Sequence, residues 1–338
     1  MEQKAAKVAI EAIASDEVID RAYGWLCSRR EHYSSNHDVW NVRWQWKSIK
    51  PLLQTDLLAG EYRFGAVRRV RRNHDAIELW SALDALVLKA MAIVLSRSLG
   101  LPRSCYHLRG HGGAKAAVRD VVAHLPGNAF VFRTDVKSYY AGIDHNVLMS
   151  RLSRRIVDHR VLHLLEQYIR RTVYRDGYYQ DVKCGISLGC PLSPVMGALY
   201  LEVLDLRMEQ TGLFYARFMD DWVILTRTRW QLRKAVKLVM QTLDELKLEP
   251  HPDKTYIGRA SRGFSFLGYT IASAGIVGIA PQTHKRFVER LTRLYEQGAP
   301  PERIGNYVRR WHCWAVSGLG DYGKSISDFI PDACGVIA

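Results

Sequence analysis

Three aspartates stand where a folding chain does not ordinarily leave charge. Asp135 closes residues 129–134 (AFVFRT), which read as a buried strand. Asp220 and Asp221 interrupt residues 214–226 (FYARFMDDWVILT), whose apolar halves read as a tight hairpin with the acidic pair at its tip. A carboxylate among apolar neighbours costs several kcal/mol of lost solvation unless something compensates it. A divalent cation is one such compensation, and Mg²⁺ suits hard carboxylate oxygens and substrate phosphates. Carboxylates that hold two ions roughly 3.5–4 Å apart serve phosphoryl transfer, one ion activating the attacking hydroxyl and the other steadying the leaving oxygen. Aspartate pairs are also common in turns, where the side chain bonds its own backbone. The doublet alone does not choose between these readings.

The surrounding pattern predicts the elements that must position the acids. Residues 1–30 read as amphipathic helix and 77–99 as the strongest helix, ended by Gly100 and Pro102. A basic loop containing Gly110, Gly112 and Gly113 follows. Two helices are expected in 145–173, and Asp176-Gly177 is a hairpin turn signal between short aromatic strands. Helices are expected at 193–210 and about 230–248, short strands from 254 to 280, and a basic helical tail beyond 282. This order predicts an α+β fold with helices on one face of an antiparallel sheet.

The bulk numbers bound the partners. With 338 residues, 48% apolar, the chain has enough material for two or three packed subdomains and is too apolar to be disordered. A net charge of +14, from 48 Lys and Arg against 34 Asp and Glu, favours a polyanion. The longest apolar run, near 85–95, is broken by Lys89 and is too short to span a membrane. The first residues carry no signal-peptide pattern. A cytoplasmic bacterial protein without a membrane partner is expected. The six cysteines (27, 105, 184, 190, 313 and 334) form no C-x-x-C pair and are expected to be reduced; zinc held by Cys184, Cys190 and a distant histidine is the weaker alternative.

Five motifs, in order, resemble those of reverse transcriptases. Phe132 to Tyr140 (FRTDVKSYY) looks like their first catalytic strand, and Gly185 to Pro194 (GISLGCPLSP) like the loop and helix that follow. Phe218-Met219-Asp220-Asp221 looks like the signature hairpin; Pro252 to Thr255 (PDKT) and Phe266-Leu267-Gly268-Tyr269 resemble two later palm motifs. The match covers roughly 60–320 and is similar to group II intron-like, diversity-generating and antiphage-defence enzymes. The resemblance implies a right-hand polymerase: an N-terminal helical region and fingers over 1–128, a palm over 129–272 with a fingers insertion at about 145–183, and a small helical thumb over 273–338.

It also implies roles. Asp135 and Asp220 would hold two Mg²⁺ ions, with Mn²⁺ as a possible substitute; Asp221 would support them, and the Val136 carbonyl would complete one site. Tyr140, five positions after Asp135, would bar the ribose 2′-hydroxyl. Arg109, in Tyr106 to Gly113 (YHLRGHGG), would contact the triphosphate. Lys254 would neutralise or protonate the leaving pyrophosphate. Phe266, Leu267, Gly268 and Tyr269 would grip the primer end. Arg68, Arg69, Arg71 and Arg72 are read either as a solvated strand edge or as template or triphosphate contacts. Tyr307, Arg309, Arg310, Trp311 and Trp314 suit a thumb helix against a duplex, as Trp40, Trp44 and Trp46 suit another contact, although tryptophans at helical spacing more often fill a core.

One departure stands out: Leu188 occupies the place where many relatives carry a glutamine that bonds the incoming nucleotide, which predicts relaxed selection. The expected activity is RNA-templated DNA synthesis from dNTPs, with a dedicated structured RNA, a DNA product and a protein partner or oligomer, in defence or a retroelement. Protein-primed or untemplated synthesis at the same site is an alternative. A non-catalytic nucleic-acid-binding module is another, against which the three retained acids argue.

Overall fold

A computed structural model of the chain describes residues 8–72 and 75–318. The first half begins with helices α1 (Ile10–Ile13), α2 (Asp16–Arg29), α3 (Asp38–Trp44) and α4 (Trp46–Ala59). Strands β1 (Val67–Arg72) and β2 (Asp75–Leu79), α5 (Ala82–Ser98), α6 (Gly113–Ala123) and β3 (Phe130–Asp135) follow. Then come α7 (Tyr139–Gly142), α8 (His145–Ser153), α9 (His159–Ile169), β4 (Thr172–Arg175) and β5 (Tyr178–Asp181). The second half contains α10 (Ser193–Thr211), β6 (Phe214–Phe218), β7 (Asp221–Thr226), α11 (Arg229–Glu245), β8 (Tyr256–Arg259), β9 (Phe264–Phe266), β10 (Tyr269–Ala272), β11 (Gly275–Ile279), α12 (Pro281–Glu296) and α13 (Pro301–Ser317).

The described chain groups into two compact units with interleaved segments. The first holds residues 8–102 with Lys137–Leu204 and Thr242–Glu249; the second holds Arg103–Val136, Asp205–Gln241 and 250–318. In the first unit α5 is buried on nearly every side, as expected of a helix apolar all round. Its start corrects the sequence reading. Residues 75–79 pair with β1 as a strand, and the helix begins only after Ser81, whose side chain accepts from the Asp84 N–H. A continuous apolar run does not reveal where period two gives way to period 3.6. Strands in this unit run β2-β1-β4-β5, with β1 and β4 parallel.

A buried ion pair ties this sheet to the 185–190 loop. Arg171 forks onto both Glu78 oxygens, with Nη2 at 3.0 Å from Oε1, and its Nη1 donates to the Gly185 carbonyl at 3.0 Å. Arg69 donates to the same glutamate at 2.8 Å, so this member of the basic cluster has a structural partner. Arg68 is exposed, and the side chains of Arg71 and Arg72 lie outside the described residues.

The second unit is the α+β assembly the order of elements predicts. Its principal sheet runs β6-β7-β3-β8, antiparallel throughout, and β9, β10 and β11 form a separate antiparallel sheet. Helix α6, unforeseen because Gly110 and Gly112 precede it and Gly113 opens it, packs Ala117, Val118 and Val121 onto Val131, Ala216, Val223 and Leu225 of the principal sheet.

Arg171→Met is expected to destabilise the protein by about 3–5 kcal/mol, because it strips a buried carboxylate of its main partner. Adding Glu78→Leu should recover much of that loss. Denaturant midpoints of the two variants check this; an unchanged midpoint for the single variant would contradict it.

Candidate active site

Strand register builds the acidic site. Asp135 ends β3 and lies directly across from Asp221, which opens β7. Phe218 pairs with Asp221 across the β6–β7 hairpin, leaving Met219 and Asp220 as its two-residue tip. Met219 sits at φ +59, in the left-handed region that two-residue hairpins require and methionine rarely adopts. Its peptide is held from both sides: its N–H donates to His107 Nδ1 at 3.0 Å, and its carbonyl accepts from Arg217 Nη1 at 2.8 Å.

Arg217 is itself fully buried and forks onto Asp205, its Nε 2.7 Å from Oδ1; Tyr215 donates to the same oxygen at 2.8 Å. Backbone bonds join Arg217 to Ser104 and Tyr106, so the loop that carries Arg109 is stitched to the hairpin. The sequence hid these supports. Arg217 and Asp205 look like ordinary charged residues until the fold buries them together, and His107 was read only as part of a glycine-rich loop.

The three acids do not have equal surroundings. Arg133, two residues before Asp135 on the same face of β3, clamps Asp221 through two bonds of 3.0 and 2.8 Å. Lys254 Nζ lies 2.7 Å from Asp135 Oδ2. The turn bearing Lys254 is fixed to β3: the His251 N–H donates to the Asp135 carbonyl at 2.7 Å, and the hydroxyls of Thr134 and Thr255 meet at 2.7 Å. Asp220 has no ion-pair partner among the described residues. Burial first, then the Asp135 carboxylate, push its pKa up to about 7. Burial also raises Asp221, to about 6, against the pull of Arg133.

Among the described residues no three carboxylate, imidazole or thiolate groups converge on one point. Even so, the residues fit a hard divalent cation. Asp135 and Asp220 offer adjacent carboxylates, and the raised Asp220 is a buried charge that a cation would relieve. The Asp221 clamp is a counterweight, since its oxygens are engaged by Arg133. Val136 stays beside the doublet, its N–H donating to the Asp220 carbonyl at 3.3 Å.

The other expected site residues fall in varied settings. Arg109 is exposed and has no partner among the described residues, on a turn whose glycines 110, 112 and 113 all take positive φ. Tyr140, in the first unit, is half-buried; a Cβ at Gly197 would come within 3.0 Å of its ring. Leu188 is partly exposed, and its carbonyl accepts from the Glu78 N–H at 3.4 Å.

Phe266 and Tyr269 are fully buried and pair across the β9–β10 hairpin, with Leu267 and Gly268 at its tip in positive φ. A Cβ at 268 would lie 2.6 Å from the Trp314 ring, so this glycine is required by the chain's own indole. Lys115 Nζ lies against the stacked Tyr269–Trp314 pair, 4.6 and 4.3 Å from the ring centroids, and donates to the Tyr269 hydroxyl and the Trp314 carbonyl. Burial lowers its pKa to about 8. Trp311 stacks on Phe287 at 4.1 Å, so this α13 aromatic serves packing, while Arg309 and Arg310 are exposed. Near the N-terminus, Trp46 stacks on Tyr23 at 4.0 Å and Trp44 is exposed. Of the six cysteines, the five described ones form no disulfide, and Cys334 lies outside the described residues.

The site is a set of carboxylates at adjacent strand ends and a hairpin tip, on an antiparallel sheet backed by a helix. The family model described as reverse transcriptase (RNA-dependent DNA polymerase) matches residues 82–271, and the chain belongs to that family. It is accordingly an RNA-directed DNA polymerase, of a family that works on a nucleic-acid template and generally uses divalent metal ions. Protein YkfC of Escherichia coli (strain K12) is 24% identical over 301 residues, covering 72% of this chain and 78% of YkfC. The group II intron-encoded protein LtrA of Lactococcus lactis subsp. cremoris is 21% identical over 265 residues, covering 69% of this chain. A chain of a partial Cas6-RT-Cas1–Cas2 complex matches at TM-score 0.40 and 19% identity over 70% of this chain. The chain spans only 42% of LtrA and 41% of that solved chain. No described helix is long and apolar enough to cross a membrane.

Two expectations follow. Asp220's folded pKa lies above its ordinary 3.8, so its contribution to stability is present at low pH and lost as pH rises through about 7. Without metal, Asp220→Asn should therefore melt a few degrees higher than the parent at pH 8 and about equal to it at pH 4; calorimetry in a chelator decides, and a lower melting point for the variant at pH 8 would count against an uncompensated charge. Lys115's folded pKa lies below its ordinary 10.5, so the parent should gain stability between pH 8 and 10.5. Lys115→Met should lose that gain, and identical melting-versus-pH curves would refute it.

Proposed function

We propose that the chain extends a primer with deoxynucleotides by phosphoryl transfer at Asp135 and Asp220. The observation that carries this is the buried Asp220, raised to about 7 beside Asp135 and without a cationic partner among the described residues. Two Mg²⁺ ions, for which Mn²⁺ is a substitute, would activate the attacking hydroxyl and steady the leaving oxygen. Asp135, Asp220 and the Val136 carbonyl would hold them. Asp221, clamped by Arg133, fixes the site's geometry and becomes a ligand only if the clamp opens.

Lys254 already balances charge on Asp135 and is near enough to pass a proton toward a departing pyrophosphate. Arg109 presents an unpaired guanidinium to the triphosphate. Tyr140 bars the 2′-hydroxyl, and Leu188, which cannot hydrogen-bond through its side chain, relaxes nucleotide selection. Primer contact falls to the Leu267-Gly268 backbone, because Phe266 and Tyr269 are committed to the core. The layout we assign is a right hand, with fingers to residue 128 and in about 145–183, palm over 129–272 and thumb beyond. The physiological template is assigned to a structured RNA acting in defence or a retroelement.

Protein priming is a second reading with one observation behind it. Tyr178 and Tyr179, 79% and 70% exposed on the β4–β5 hairpin, offer free hydroxyls. Digestion of product DNA followed by mass spectrometry would find a nucleotide on one of them.

Asp220→Ala should reduce dNTP incorporation on an RNA template with Mg²⁺ at least about a thousandfold, as expected when a group acting on the reacting atoms is removed. Incorporation near the parent rate would end the assignment.

A further inference from the structure

The second unit carries a groove remote from the acids. It is about 490 Å³ in volume and lies between α11 and β8, the edge strand of the principal sheet. Phe130 lines it from the opposite end of β3 to Asp135; five residue steps of about 3.4 Å separate the two by about 17 Å. The two walls follow from register and helical period. Phe130 faces Arg259 across the sheet, and Ile257 shares Arg259's side of β8. Positions 229, 232, 233, 236 and 237 form one stripe of α11.

The floor is apolar: Phe130, Leu232, Val236 and Ile257. The rim is wholly cationic: Arg229, Arg233, Lys237, Arg259 and Arg262. No acidic residue lines the groove, and none of these cations pairs with a carboxylate among the described residues. Like charges gathered without counterions repel one another, so the arrangement favours an anionic occupant.

We propose that this groove binds single-stranded nucleic acid, as a second site beside the polymerising centre. Arg229, Arg233 and Lys237 recur every four residues, about 6 Å along the helix, a row that successive phosphates of an extended strand can follow. Trp230, 71% exposed and next to Arg229 on α11, carries the Arg233 guanidinium 5.4 Å over its ring and provides a stacking platform beside the groove. The apolar floor accepts unpaired bases, which a duplex would keep hidden. An acidic peptide would satisfy the cations but leaves Trp230 without a role. The inference rests on the cations and the floor, not on the metal assignment.

The test uses the full chain, saturated with an unlabelled primer–template duplex bearing a one-nucleotide overhang. Labelled twelve-nucleotide oligo(U) or oligo(dT) is then titrated by fluorescence anisotropy at several salt concentrations. The parent is expected to bind the labelled strand with its polymerising site filled. Arg229→Gln/Arg233→Gln/Lys237→Gln should weaken binding about tenfold or more and lower the salt slope by about two, at roughly 0.7 per phosphate contact. Trp230→Ala should weaken it about fivefold or more with the slope kept.

These positions are exposed, so folding is not at stake, and both variants should extend the primer–template at the parent rate. A preference for oligo(U) would mark the ligand as RNA, and equal binding would mark either strand type. Oligonucleotide binding that is identical in parent and triple variant overturns the proposal. So does a labelled poly-glutamate peptide that needs the three cations when the oligonucleotide does not, an outcome that would assign the groove to a protein partner.

Discussion

The structure of the second unit turns on one electrostatic constraint, the burial of Asp220 beside Asp135 with no cation among the described residues to balance it. A folded protein tolerates such an arrangement only if other interactions over-determine the backbone there. They are visible in layers. His107 and Arg217 hold the Met219 peptide in its left-handed conformation, Asp205 and Tyr215 hold Arg217, and β3 is bonded to both β7 and the 250–255 turn. The supporting residues are strongly paired around a carboxylate, Asp220, that is not.

The same logic separates the three aspartates. Sequence sets Asp220 and Asp221 side by side, yet Asp221 is the first residue of β7 while Asp220 lies in the turn before it. Asp221 meets Arg133, Asp135 meets Lys254, and Asp220 at the hairpin tip meets neither. The two basic residues neutralise part of the acidic field without occupying every oxygen.

Much of this was legible in the sequence. The β3 strand, the 214–226 hairpin, the helices near 193–210 and 230–248, and the short strands after 254 all announce themselves by period and turn chemistry. What stayed hidden has physical causes. The β2–α5 boundary vanished inside one apolar run. Helix α6 was masked by the glycines that precede it, and with it Lys115, whose partners are 154 and 199 residues away. Arg217 and Asp205 gain their meaning only when burial removes water from both. Gly268 suggested an approach by nucleic acid, whereas the neighbour that forbids a side chain there is Trp314 of the same chain.

The central claim is that Asp135 and Asp220 jointly hold divalent cations. The most direct measurement is anomalous diffraction from crystals of the protein with primer–template, an incoming nucleotide and Mn²⁺. The account requires a strong anomalous peak touching oxygens of both aspartates. Manganese bound to the nucleotide alone, with Asp220 turned away or bonded only to the protein, would contradict it.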